Sequence, residues 1–116
     1  MSDDEAIRRA VLDYFDGWFD GDSARMERAL HPELAKRSPG PDDAVEHDTA
    51  RDMVEATAAG AGRRRDPGER RTEIRIVDIH RGIASVVVDS NVYREYLHLV
   101  RTRVGWKIVN GLWDWA

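Results

Sequence analysis

The chain has 116 residues, 41% of them apolar and 34% charged, and a net charge of −4. That length is one ordinary domain, 1–116, with enough chain to bury a modest core. The absence of cysteine excludes disulfides, thiolate metal sites and a cysteine nucleophile, and the acidic balance argues against a nucleic-acid partner.

The opening Met-Ser-Asp-Asp-Glu is acidic and lacks the apolar region of a signal peptide, so a cytoplasmic location is expected. No apolar run approaches the roughly 18 residues of a membrane-spanning helix, so no membrane partner is expected. From Asp4 to Phe19, Ile7, Ala10, Val11, Tyr14, Phe15 and Trp18 recur at helical spacing. Ser2, Asp3 and Asp4 can cap this helix, and Gly21 is its stop signal. A second helix begins after Asp22 or Ser23, and Pro32 ends or kinks it at His31. Glu33–Ala35 can add a short turn, and Ser38–Asp43, with Pro39, Gly40 and Pro41, reads as a loop. A third helix is predicted from about Thr49 to Ala59, ended by Gly60 and Gly62. A charged loop, Arg63–Gly68, follows.

The apolar period then falls from 3.6 to 2. Strands are predicted over Arg71–His80, Ile83–Asp89, Val92–Thr102 and Trp106–Trp115, joined by turns at Arg81–Gly82, Ser90–Asn91 and Arg103–Gly105. Three short turns in succession imply an antiparallel meander, since a parallel pair needs a long crossover. Helices followed by strands make an α+β domain of three N-terminal helices on a curved four-stranded antiparallel sheet. The helices cover one sheet face, and a homodimer through the other face is expected.

Two stretches carry a family resemblance. One is Tyr93-Arg94-Glu95-Tyr96-Leu97-His98-Leu99-Val100 with Gly105-Trp106-Lys107-Ile108-Val109-Asn110 and Trp113. The other is Val11-Leu12-Asp13-Tyr14-Phe15-Asp16-Gly17-Trp18 with Gly21-Asp22 and Ala29-Leu30-His31-Pro32. Both resemble the putative lumazine-binding family of the SnoaL-like, nuclear-transport-factor-2-like superfamily. The resemblance spans about Ile7–Leu34 and Ile83–Trp113, and Ala35–Arg71 lies outside it. It implies a cone with a pocket between helices and sheet, usually dimeric. It says little about chemistry, since the superfamily holds isomerases, cyclases, dehydratases, hydrolases and non-catalytic binding domains. The family's label points to a flat heteroaromatic ligand.

A three-residue loop at Arg103–Gly105 sets Thr102 opposite Trp106, Val100 opposite Ile108, His98 opposite Asn110 and Tyr96 opposite Leu112. One face then carries Tyr96, His98, Val100, Trp106, Ile108 and Asn110, an aromatic surface with polar tips suited to a ligand. The other carries Leu97, Leu99, Arg101, Lys107, Val109 and Trp113 and reads as packing or dimer surface. A two-residue loop would shift the register by one and regroup these partners. The expected ligand-binding set is Tyr14, Trp18, Tyr96, His98, Trp106 and Asn110. His98 is either an acid–base residue or a strand histidine bonded to Asn110. Tyr14 and Tyr96 either donate to a carbonyl oxygen or pack as core.

Asp13, Asp16 and Asp20 lie off the apolar stripe and are expected in solvent, as are Asp89 and Glu95. The Arg63–Arg65 run, with Asp66 and Glu69 interleaved, is expected as a solvated loop. His31, His47, His80 and His98 lack metal-ligand spacing, and neither a metal nor a cofactor is expected. The leading expectation is a small-molecule-binding domain. The alternatives are a cofactor-independent isomerase, cyclase or dehydratase using His98 with Tyr14 or Tyr96, and a structural or partner-binding module.

Overall fold

The first helix forms where the apolar spacing places it, and its ends are set by local chemistry. In the computed structural model, which describes residues 1–116, α1 spans Asp3–Asp20. Ser2 caps it by accepting from the Glu5 backbone N–H, and Gly21 ends it in the left-handed conformation at φ 68°. Helix α2 (Ser23–Ala29) is capped by Asp22. Helix α3 (Ala50–Ala58) starts with a capping box in which Thr49 and Asp52 satisfy each other's backbone N–H groups.

Six strands form one sheet: β1 (Leu30–Pro39), β2 (Val45–Asp48), β3 (Thr72–His80), β4 (Ile83–Ser90), β5 (Tyr93–Thr102) and β6 (Gly105–Trp115). Their spatial order is β2-β1-β6-β5-β4-β3. The four C-terminal strands are the expected antiparallel meander. The expectation of only four strands is corrected by β1 and β2. Strand β1 runs parallel to β6, and β2 folds back antiparallel on β1. The segment expected as a turn and a loop is therefore mostly strand. Its inward side chains after Leu34 are Lys36 and Ser38, so the alternation that marks a half-buried strand is hidden by polar residues and by Pro32 and Pro39.

The register of the last hairpin also differs from expectation. The turn holds two residues, Arg103 and Val104, so Thr102 pairs with Gly105, Arg101 with Trp106 and Leu99 with Ile108. A bulge at Val109 then restores the pairs His98–Asn110 and Tyr96–Leu112. Because of it, β6 changes which alternate residues point inward. Trp106 and Ile108 face the helices at one end, and Gly111 and Trp113 face them at the other. On β5 the inward residues are Tyr93, Glu95, Leu97 and Leu99. Leu97 and Leu99 are therefore core, not dimer surface. Together with Ile7, Val11, Phe15, Met26, Val86, Val88 and Ile108 they fill the space beneath the helices.

Candidate functional site

Away from the Trp106 end, the helices and sheet diverge and enclose a cavity of about 420 Å³. Tyr14, Phe15 and Trp18 of α1 form one wall, and Met53 and Ala56 of α3 another. Tyr93, Glu95, Trp113 and Trp115 form the sheet side, and Lys36 and Asp48 come from β1 and β2. Arg64 and Arg65 stand on a 3-10 turn, Arg63–Arg65. That turn is held close by Gly62, where a Cβ would come within 2.1 Å of the Trp18 carbonyl oxygen.

The walls are aromatic and mutually braced. Trp18 donates its indole N–H to the Tyr93 hydroxyl at 3.0 Å. The Tyr93 ring lies 5.3 Å from both Trp113, edge-on, and Trp115, stacked. The Arg65 guanidinium sits 4.6 Å from the Trp115 ring centre.

Three polar groups meet inside. Lys36 is buried at 9% exposure. Its ammonium lies 5.1 Å from the ring of Tyr14, 5.8 Å from that of Trp18 and 5.4 Å from that of Trp113. Its one polar contact is a weak hydrogen bond to the Met53 sulfur at 3.6 Å. Glu95 is buried at 2% exposure, and its Oε2 accepts from the Tyr14 hydroxyl at 3.0 Å. Gly111 makes the convergence possible. Lys36 is its β1 partner, and a Cβ at 111 would lie 2.7 Å from Glu95 Oε2 and 3.6 Å from Lys36 Cγ.

Burial dominates the electrostatics. It pushes the Lys36 ammonium below the ordinary lysine range, against the opposing pull of Glu95 and Asp48. It pushes the Glu95 carboxyl above the ordinary range, against Lys36 and the Tyr14 hydrogen bond. Burial, then the charge and hydrogen bond of Glu95, raise the Tyr14 hydroxyl well above 10.0. A depressed amine beside an elevated carboxyl is an arrangement suited to proton exchange or to a polar ligand.

The expected site residues divide between the two sides of the sheet. Tyr14 and Trp18 line the cavity. Tyr96, His98 and Asn110 lie on the opposite, exposed face, where His98 and Asn110 are 3.2 Å apart. Trp106 is buried at the far end and donates to Asp3 at 3.0 Å. The two-residue turn groups Trp106 and Ile108 with Leu97 and Leu99, and this apolar set, not the Tyr96–His98 set, faces the helices. An acid–base pair of His98 with Tyr14 is thus separated by the sheet, and Tyr96 cannot reach the cavity.

Two acidic residues expected in solvent are also buried. One is Glu95. The other is Asp13, which accepts from Arg25 Nε and from Arg28 Nε and Nη2, each at 3.0 Å. Burial alone would raise the Asp13 carboxyl, but Arg28 and Arg25 outweigh it and hold the group below its usual value. Arg64 and Arg65 are exposed, as expected of a solvated segment, and they also line the cavity.

Sequence reasoning passed over Lys36. Its one signal is composition: sixteen of the eighteen basic residues are arginine, and Lys36 and Lys107 are the only lysines.

A helical layer closing one end of a curved mixed sheet around an aromatic cavity defines a cone-shaped, ligand-pocket type of α+β domain. The putative lumazine-binding family matches residues 2–114, and the chain belongs to that family. Among solved structures it is similar to a nuclear-transport-factor-2-like protein of unknown function from Shewanella baltica, at 18% identity and TM-score 0.79. That match covers 97% of this chain and 92% of the other. A nuclear-transport-factor-2-like protein of unknown function from Methylobacillus flagellatus matches at 16% identity and TM-score 0.77, over 98% of this chain and 92% of the other. A ketosteroid isomerase-like protein from Erwinia carotovora atroseptica matches at 13% identity and TM-score 0.67, over 96% and 94%. At these identities the likeness concerns the fold. None of the curated proteins matches the chain.

Proposed function

We propose that this domain binds a flat heteroaromatic molecule in the cavity between α1, α3 and the sheet. The observation that carries this reading is the pairing of an aromatic lining with two buried polar groups that have spare hydrogen-bonding capacity. Lys36 has donors beyond its contact with Met53. Glu95 has an acceptor oxygen, Oε1, beyond the one used by Tyr14. Trp18 and Trp113 offer ring surface to a ring system. A carbonyl acceptor and an N–H donor on one edge of a heterocycle would complement Lys36 and Glu95. Lumazine has such an edge, and the family's description supports it as a first probe.

A thermal-shift screen of lumazine and related pteridine, quinoline and isoalloxazine compounds tests this. Ligand binding to the native state raises the melting temperature. The stabilisation should vanish in Ala56→Phe, which fills the cavity from α3 while leaving the Lys36–Glu95 strands intact. Stabilisation that survives Ala56→Phe would place binding elsewhere.

The same reading includes a homodimer through the outer sheet face. Val77, Ile83, Tyr96 and Leu112 stand there at 50–57% exposure, an apolar set that a second copy would cover. Sedimentation should give a dimer for the wild type and a monomer for Tyr96→Arg/Leu112→Arg. A monomeric wild type would refute the pairing.

The enzymatic reading retains one supporting observation, the buried Tyr14–Glu95 hydrogen bond beside Lys36. It would use these groups in place of His98. Turnover lost in both Glu95→Gln and Tyr14→Phe would favour it over binding alone.

A further inference from the structure

We infer that Lys36 is an imine-forming amine, and that the cavity takes an aromatic aldehyde or ketone whose carbonyl carbon is placed against Nζ. This rests on the cavity being a ligand site. It goes further by naming the ligand's reactive group and the bond that forms.

Geometry supplies the first support. Nζ lies among the Tyr14, Trp18 and Trp113 rings with only the Met53 sulfur as polar contact. A carbonyl compound packed against those rings meets the amine directly. Glu95 shares the same cavity, brought beside the Lys36 stem by the absence of a side chain at Gly111. Composition supplies the second. This chain places arginine at sixteen of eighteen basic positions. Arginine stays charged and is no nucleophile at neutral pH, whereas a buried lysine can lose its proton. A position that needed only a cation is one where this sequence ordinarily has arginine. Burial also lowers the proton affinity of Lys36 and raises that of Glu95, which favours a neutral amine beside a protonated carboxyl.

The chemistry balances with these two groups. The Nζ lone pair attacks the carbonyl carbon, and a proton moves from nitrogen to oxygen, giving a carbinolamine. The Glu95 carboxyl then protonates the departing hydroxyl, which leaves as water, while the nitrogen lone pair closes the C=N bond. The products are a protonated imine, a Glu95 carboxylate and one water. No oxidant or reductant is consumed. The carboxylate is then the counterion of the iminium in a poorly solvated site.

The test uses the full chain with 2-naphthaldehyde and sodium cyanoborohydride near neutral pH, read by intact mass and peptide mapping. The non-electrophilic 2-naphthalenemethanol is the binding control, read by the indole N–H signals of Trp18 and Trp113. Lys107 is an internal reference, being the only other lysine. The expected result is a naphthylmethyl adduct that peptide mapping places at Lys36, apart from any adduct on the Met1 α-amino group, formed at least about tenfold faster than at Lys107, because the bound aldehyde is held at high effective concentration. Lys107→Arg should keep the adduct. Lys36→Arg should lose it, and Lys36→Met should lose it too if the larger guanidinium disturbs folding. If the alcohol moves the indole signals but the aldehyde is trapped nowhere, or only at Lys107, the imine inference is overturned and the binding site stands. If neither compound moves them, the ligand-site reading fails and the imine with it.

Discussion

Tyr14→Phe removes the one hydrogen-bond donor to Glu95 and keeps the ring, which packs edge-on against Phe15 at 5.2 Å and 89°. A hydrogen bond to a charged group contributes about 1.5–3 kcal/mol, and a neutral one about 1 kcal/mol. Unfolding entropy near 2.1 cal/mol/K per residue over 116 residues comes to about 0.24 kcal/mol/K, so 1 kcal/mol corresponds to about 4 °C. In a pH series upward from about 4, the variant should fall to about 8 °C below wild type once the pH has passed the folded Glu95 value and the carboxyl is ionised. Burial raises the folded Glu95 carboxyl above its ordinary 4.5. Wild type therefore loses part of its stability as pH rises from 4.5 through the folded value, and the Tyr14 bond limits that loss. At about pH 4 the carboxyl is protonated in both states, the bond is neutral, and the deficit should shrink to about 4 °C. Circular-dichroism melts across the series measure this, with Glu95→Gln as a background in which the deficit is independent of pH. An equal deficit across the whole pH series in the Glu95 protein would refute a buried, ionisable Glu95 held by Tyr14.

Three other outcomes follow from contacts of different kinds. Gly62→Ala sets a methyl group 2.1 Å from the Trp18 carbonyl oxygen, so the Arg63–Arg65 turn must move. It should cost about 1–3 kcal/mol, a fall of about 4–12 °C in thermal melts, and leave the cavity mouth open to proteolysis after Arg64 and Arg65. Gly111→Ala presses on the end of a side chain, Glu95 Oε2, so it should lower the melting point less than Gly62→Ala while abolishing ligand-induced stabilisation. Asp13→Asn should cost about 1–2 kcal/mol at neutral pH through its contacts with Arg25 and Arg28. The folded carboxyl lies below 3.8, so this contribution is complete above that pH and fades as pH falls through the folded value. The gap between variant and wild type should close in acid melts below about pH 3.8.

What the sequence reveals and conceals follows from where periodicity carries information. Helix α1 and strands β3 to β6 announce themselves because their buried positions are apolar and regularly spaced. Strand β1 does not, because Lys36 and Ser38 occupy its buried positions. In an apolar core those residues look misplaced, and Lys36 is instead part of the cavity wall. The hairpin shows a different limit. The choice between a two-residue and a three-residue turn at Arg103–Gly105 decides whether Trp106 and Ile108 group with His98 or with Leu97 and Leu99. Once the shorter turn is known, the Val109 bulge explains how Trp113 and Gly111 join Glu95 on the inner face. Asp13 and Glu95 were assigned to solvent by charge alone, whereas their partners, Arg25 and Arg28 for one and Tyr14 for the other, come from elsewhere in the chain.

The four tryptophans provide the most direct test of the ligand cavity. Trp18, Trp113 and Trp115 line it, and Trp106 lies buried at the opposite end against Asp3. Titration of the nitrogen-15-labelled protein with lumazine, followed by its indole N–H signals, should shift those of Trp18 and Trp113 and leave that of Trp106 unmoved. Shifts confined to Trp106, or to the backbone signals of His98 and Asn110 on the outer face, would contradict the account.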